Sequence, residues 1–254
     1  MAILDQFKLN GKVAVVTGAG RGLGQGAALG FAEAGADLAL VDIIGTDETA
    51  AQVRALGRRV CQVQADLLDR KSVQSVVDRV VRELGGIHIL LNNAGIIRRA
   101  PFLEFAEKDW DDVIQVNEST VFFLSQAVAR QMVAQGRGGK IINIASMLSF
   151  QGGIRVPSYT ASKSAVMGLT RLMANELAAH RINVNAVAPG YMETDNTAAL
   201  RADQVRNAEI LGRIPAGRWG LPQDLQGALV FLASAASDYV TGYTLAVDGG
   251  WLCR

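Results

Sequence analysis

Val13-Ala14-Val15-Val16-Thr17-Gly18-Ala19-Gly20-Arg21-Gly22-Leu23-Gly24 is a β-branched run that breaks into glycines and leads into a segment of helical period. Strand, glycine turn and helix in this order form the context in which backbone can cradle a pyrophosphate. Gly18 permits the tight turn, Gly22 lets the backbone approach a phosphate, and Gly24 lets helix pack close to strand, with the helix N-terminus facing the anion. Asp42 stands eighteen residues after Gly24, past the next apolar run, where a carboxylate accepts hydrogen bonds from an adenosine ribose diol. An acid there repels a 2′-phosphate and favours NAD. Arg21 pulls the other way, because a guanidinium in the glycine loop can meet a 2′-phosphate. Asp42 carries more weight, since bringing two like charges together costs more than a flexible arginine gains.

Outward from this unit, short β-branched runs at 13–17, 37–41, 60–64, 87–92, 140–144, 182–188 and 244–247 predict strands. Segments of helical period at 23–33, 46–56, 71–84, 108–135, 158–180 and 223–233 predict helices between them. Such alternation means an α/β fold with a parallel sheet covered by helices on both faces. No repeat or linker divides the chain, so one domain over 1–254 is expected. The irregular stretch 191–222 falls where a parallel sheet places a substrate lid over its carboxyl edge.

With hydrophobic residues at 50% and charged residues at 19% of 254, the chain has ample apolar surface to bury, which excludes disorder. Lys+Arg 25 against Asp+Glu 24 leaves net +1 and no electrostatic case for a nucleic-acid partner. No window approaches about 18 uninterrupted apolar residues, and the first residues lack a basic segment followed by an apolar one. A cytoplasmic protein with no membrane partner is expected. Cys61 and Cys253 are too few and too ill-spaced for a disulfide scaffold or a metal site. His88 and His180 fall in different segments, which argues against a zinc site or a Ser-His-Asp triad.

Proton chemistry is therefore sought elsewhere. Tyr159 and Lys163 are four residues apart and share one helix face. An ammonium beside a phenol favours the phenolate, so Lys163 is expected to pull the Tyr159 pKa down from about 10. Ser146 ends the fifth strand run, thirteen residues before Tyr159, at the edge where ligands bind, and its hydroxyl can polarise a substrate oxygen. Asn92-Asn93-Ala94-Gly95 follows the fourth run. Asn117 lies inside a helical pattern, where it is unfavourable by propensity and signals a kink or a polar task.

Taken together, Thr17-Gly18-xxx-Gly22-x-Gly24, Asp66, Asn92-Asn93-Ala94-Gly95, Asn117, Ser146, Tyr159-xxx-Lys163, Pro189-Gly190-xxx-Thr194 and Val247-Asp248-Gly249-Gly250 resemble, in order and over the whole chain, a short-chain dehydrogenase/reductase. The resemblance implies a Rossmann-type doubly wound parallel sheet of about seven strands, an NAD(P)-dependent activity on a CH–OH group, and a homotetramer. It makes Tyr159 the catalytic acid and base, with Lys163 lowering its pKa and holding the nicotinamide ribose. Ser146 would orient the substrate oxygen, and Asn117 would support a water in a proton relay. It gives Gly18, Arg21, Gly22, Leu23, Gly24 and Asp42 to the cofactor, Asp66 and Leu67 to its adenine end, and Asn93, Ala94 and Gly95 to its path. Pro189, Gly190, Met192 and Thr194 would hold the carboxamide end.

The stretches 146–159 and 213–220 are similar to the sugar-acid dehydrogenases that interconvert 2-dehydro-3-deoxy-D-gluconate and its 5-keto form with NAD(H) in carbohydrate catabolism. Such a substrate needs a cation for its carboxylate, and Arg155, Arg98 or Arg99 can supply one. Gln151 is a candidate partner for a substrate hydroxyl, and Trp219 is expected to pack the lid rather than stack on sugar. Two rival readings stand beside this one. One is an NADPH-dependent ketone or 3-oxoacyl-carrier-protein reductase, kept open by Arg21; the other is a non-catalytic NAD-binding module on a kept fold.

Overall fold

The computed structural model describes residues 2–254. Seven strands, β1 (Val13–Thr17), β2 (Asp37–Asp42), β3 (Val60–Gln64), β4 (Ile89–Asn92), β5 (Gly139–Ile144), β6 (Ile182–Pro189) and β7 (Thr244–Val247), form one sheet in the order β3-β2-β1-β4-β5-β6-β7. Every pairing is parallel, with Val16 opposite Leu40 on one side and Leu91 on the other.

The pleat of β1 shows why both faces are covered. Val13 and Val15 point into one core with Leu90, Ile141 and Val184, under helices α3 (Ser72–Leu84), α5 (Thr120–Gln135) and α6 (Pro157–Leu177). Ala14 and Val16 point into the other with Leu38, Leu40 and Leu91, under α1 (Gly22–Glu33), α2 (Asp47–Ala55) and α9 (Gln226–Ala233). A strand apolar on both sides has no solvent face, and each fully buried branched side chain contributes about 1.5–3 kcal/mol.

The fourth strand starts two residues later than the run 87–92 suggests. The Gln135 side chain takes the place of a strand neighbour there, accepting from the Ile87 N–H at 2.9 Å and donating to its carbonyl at 2.8 Å. The single helix expected over 108–135 is α4 (Glu107–Ile114) and α5 joined by one wide π turn, Gln115–Ser119. The Asn117 amide accepts from the Ile96 N–H at 2.8 Å and donates to the Ile96 carbonyl at 2.9 Å. Meanwhile the Thr120 hydroxyl reaches the Gln115 and Leu67 carbonyls. These bonds hold the turn open.

The stretch 191–222 is more regular than expected. It contains α7 (Ala198–Ala202) and α8 (Gln204–Arg213), the latter capped by Asp203, which accepts from the Val205 and Arg206 N–H groups at 3.1 Å. Ile210 and Ile214 anchor it against Met147, Trp219 and Trp251. Inside the sheet's carboxyl half, Asn92 donates to Asn143 (2.8 Å) and Ser125 (2.9 Å), and Asn143 donates to Thr170 (2.9 Å). This buried polar seam joins β4, β5, α5 and α6 beneath the site.

Candidate active site

Strand order reverses at β1, whose neighbours are β2 and β4, and this leaves a crevice at their carboxyl ends. The Thr17 hydroxyl accepts from the Asn93 and Ala94 N–H groups at 3.0 Å. The Asn93 amide donates back to the Thr17 and Gly18 carbonyls at 2.8 and 3.2 Å, so the residue expected to line the cofactor's path also braces the glycine turn. Gly18 and Gly22 adopt φ +66° and +58°, and a Cβ on Gly24 would run into the Gly18 carbonyl. No side chain caps α1, so the N–H groups of its first turn, at Gly22, Leu23 and Gly24, are left for an anion.

The other candidate cofactor residues line the same edge. Asp42 Oδ2 accepts from the Gly20 N–H at 2.8 Å and Oδ1 from the Ile44 N–H at 3.2 Å, which fixes the carboxylate beside the loop. Asp66 turns its carboxylate onto the Leu68 N–H, and the Leu67 carbonyl receives the Thr120 hydroxyl. A Cβ on Gly95 would stand 3.2 Å from Asn117 Oδ1. Pro189 ends β6; the Gly190 N–H donates to Val247, and Met192 is buried and bridged to Gly220. A Cβ on Gly22 would stand 3.7 Å from Thr194 Cγ2, so the glycine loop meets the start of the stretch 191–222. A glycine cradle, an uncapped helix start and a fixed carboxylate fit a dinucleotide.

Ser146 follows β5 and is extended (φ −160°); its Oγ accepts from the Leu148 N–H at 3.1 Å and acts on the Tyr159 phenol, favouring its ionised form. Ser146 thus both caps a short turn and reaches the tyrosine. Pro157 at the first position of α6 sets the helix that carries Tyr159 and Lys163. Lys163 is buried, donates to the Ile144 carbonyl at 2.6 Å, and its Nζ lies 5.7 Å from the centre of the Tyr159 ring.

The expected lowering of Tyr159 by Lys163 does not hold in this structure. Burial pushes the Tyr159 phenol up, and the Ser146 hydroxyl and the Arg99 charge only partly oppose it. Lys163 is itself brought down to about 8 by burial, and its hydrogen bond is spent on a carbonyl. Asn117 is fully buried with its amide committed to Ile96 and, at 3.4 Å, to Ser162. Any part it takes in a proton relay passes through its backbone rather than its side chain.

The three arginines separate. Arg98 pairs with Asp109 at 3.3 Å. Arg99 acts on the Tyr159 hydroxyl by its charge, while its Nη2 donates to the Asn196 carbonyl at 3.2 Å. Arg155 is left-handed (φ +64°), and its carbonyl accepts from the Ala100 N–H, which ties the two loops together. Gln151 accepts from Arg213 at 3.0 Å, and that guanidinium lies 4.0 Å from the Trp251 ring centre. Trp219 packs within the stretch 191–222, edge-on to Tyr191 and donating to Asn207. The stacking of Arg213 on Trp251 was missed by sequence reasoning, because the pairing of α8 with the chain's last residues leaves no local signal.

The model of the short-chain dehydrogenase family matches residues 12–205. The chain belongs to the short-chain dehydrogenase family. It is accordingly an oxidoreductase that uses a nicotinamide dinucleotide and acts on a CH–OH group. Among its relatives in the family is the 2-dehydro-3-deoxy-D-gluconate 5-dehydrogenase of Escherichia coli (strain K12), 67% identical over 99% of this chain and 100% of the relative. The protein of the same name from Dickeya dadantii (strain 3937) is 66% identical over the same shares. The solved structure of a gluconate 5-dehydrogenase from Burkholderia cenocepacia J2315, in complex with NADP and tartrate, superimposes with a TM-score of 0.94 at 43% identity, covering 99% of each chain. Among the described residues, no helix of this short-chain dehydrogenase is long and apolar enough to cross a membrane.

Proposed function

We propose that this short-chain dehydrogenase interconverts a secondary alcohol and a ketone on a sugar acid, namely 2-dehydro-3-deoxy-D-gluconate and its 5-keto form, with NAD(H). The observation that carries the reading is the convergence of Tyr159, whose ring centre lies 5.7 Å from Lys163 Nζ, with the Ser146 hydroxyl and the Arg99 charge that both act on its phenol. In oxidation the substrate hydroxyl hydrogen-bonds to Ser146, and Tyr159 takes its proton as general base. The bound dinucleotide supplies the acceptor for the hydride. Lys163, buried beside Tyr159, holds the nicotinamide ribose. Arg99 receives the substrate carboxylate, and the lid 191–222 closes over it within a single catalytic domain of 1–254. The full-length relatives named for this reaction support the substrate.

Asp42, held by two backbone N–H groups at the rim, supports NAD. NADP in the Burkholderia relative and Arg21 in the glycine loop favour the second reading, an NADPH-dependent reductase. The deciding assay mixes purified protein with 2-dehydro-3-deoxy-D-gluconate and NAD and follows NADH absorbance, with NADP in parallel. Turnover with NAD is expected; NADPH-dependent reduction of another ketone with silence here overturns the substrate and leaves the class. A cytoplasmic homotetramer is part of the same proposal. Its association is supported by the exposed Phe102, Leu103, Tyr239 and Tyr243, and light scattering after gel filtration tests the oligomeric state.

A further inference from the structure

We infer that Asp195, a lid residue outside the cofactor cradle, sets the dinucleotide preference by holding Arg21 away from the adenosine ribose. The inference rests on the NAD reading and adds to it a second determinant beside Asp42.

Arg21 is the one charged residue of the loop 17–24 and the one cation there that a 2′-phosphate could use. Its Nη1 lies 2.8 Å from Asp195 Oδ2. Both side chains are exposed, so the pair forms at the surface. Asp42, the nearer acid in sequence, has its two oxygens committed to the Gly20 and Ile44 N–H groups. Among the described residues Arg21 forms no ion pair with it; its partner is Asp195.

The backbone that carries Asp195 is held on both sides. The Thr194 N–H donates to Thr197 Oγ1 at 3.2 Å, the Thr197 N–H donates to the Thr194 carbonyl at 3.1 Å, and the Thr197 hydroxyl donates to Met192 at 2.6 Å. The nearby cation Arg201 is occupied by Glu193 and the Thr194 carbonyl. With Nη1 turned onto Asp195, one arm of the guanidinium and part of its charge are taken up before a 2′-phosphate arrives. Asp42 therefore repels the extra phosphate while Asp195 withholds the group that would attract it.

The test measures Kd for NAD and NADP by calorimetry, without substrate, in the wild type, Asp195→Asn, Arg21→Gln and the double variant. Asp195→Asn should tighten NADP relative to NAD by about two- to five-fold, the size an exposed ion pair supports. In the Arg21→Gln background the same change should leave the ratio where it was, and Asp195→Glu should keep the wild-type ratio. An unchanged ratio in Asp195→Asn overturns the inference, including when both dinucleotides weaken together because the lid is disturbed. An equal shift in the Arg21→Gln background also overturns it, since the effect would then be the aspartate's own charge. Tighter binding of NADP than NAD by the wild type would sink the NAD reading alone, because the four-variant comparison is judged on differences.

Discussion

The Lys163 ammonium stands 5.7 Å from the centre of the Tyr159 ring, yet its hydrogen bond goes to the Ile144 carbonyl at 2.6 Å. No carboxylate compensates its burial, which brings it from 10.5 down to about 8. Below about pH 8 folded and unfolded chains both hold the proton, and the fold bears the full cost. Between about pH 8 and 10.5 only the unfolded chain holds it, so stability rises with pH through that window. The cost at neutral pH is on the order of 3 kcal/mol. Lys163→Met should therefore compare best with the wild type near neutrality and lose that advantage as pH climbs. Urea unfolding at two pH values reads this, and a pH-independent difference would rule out the buried charge as its cause.

Tyr159→Phe removes the proton acceptor and leaves the glycine cradle intact. Turnover should fall by about 10²–10⁴-fold or more, the range of general acid–base catalysis. NADH affinity by fluorescence titration should change little. Retained turnover, or lost NADH binding, would speak against the role given to this residue.

Arg99→Ala should raise KM for the sugar acid by about 10- to 100-fold, the equivalent of a charged hydrogen bond. Arg98→Ala should do far less, because its guanidinium is already paired with Asp109. Steady-state kinetics with both variants decides between the two neighbours. An equal effect would mean that the loop, and not the Arg99 charge, recognises the carboxylate.

Gly24→Ala and Gly168→Ala should act in opposite directions. At Gly24 a Cβ meets the Gly18 carbonyl and stands 2.6 Å from the Asn93 amide, so an overpacking cost of about 1–3 kcal/mol is expected, with weakened dinucleotide binding. At Gly168, inside α6, nothing lies within 4 Å, and alanine should stabilise by about 0.5–1 kcal/mol. Thermal unfolding of the two variants provides the comparison.

The β1–α1 unit was legible in sequence because each of its signals is local: β-branched residues, then glycines at fixed spacing, then helical period. The strands 13–17, 60–64 and 244–247 coincide with β1, β3 and β7 for the same reason. The start of β4 was not legible, since Gln135, far along the chain, decides it. Helices α7 and α8 were hidden because their anchors, Trp219, Trp251 and Met147, come from three distant segments. Within the site, the spacing of Ser146, Tyr159 and Lys163 read directly. The direction of the Tyr159 shift did not, since it depends on how deeply the fold buries the phenol and its lysine.

The π turn at Gln115–Ser119 amounts to one supernumerary residue in an otherwise continuous helix. Each residue advances an α-helix by about 100°, so everything from Thr120 onward is rotated by that much relative to an unbroken helix. Loss of any one residue from this turn would swing the stripe of Leu124, Val128 and Met132 out of the sheet. A polar turn beside the site thereby becomes the phase-setting element for the core beneath it.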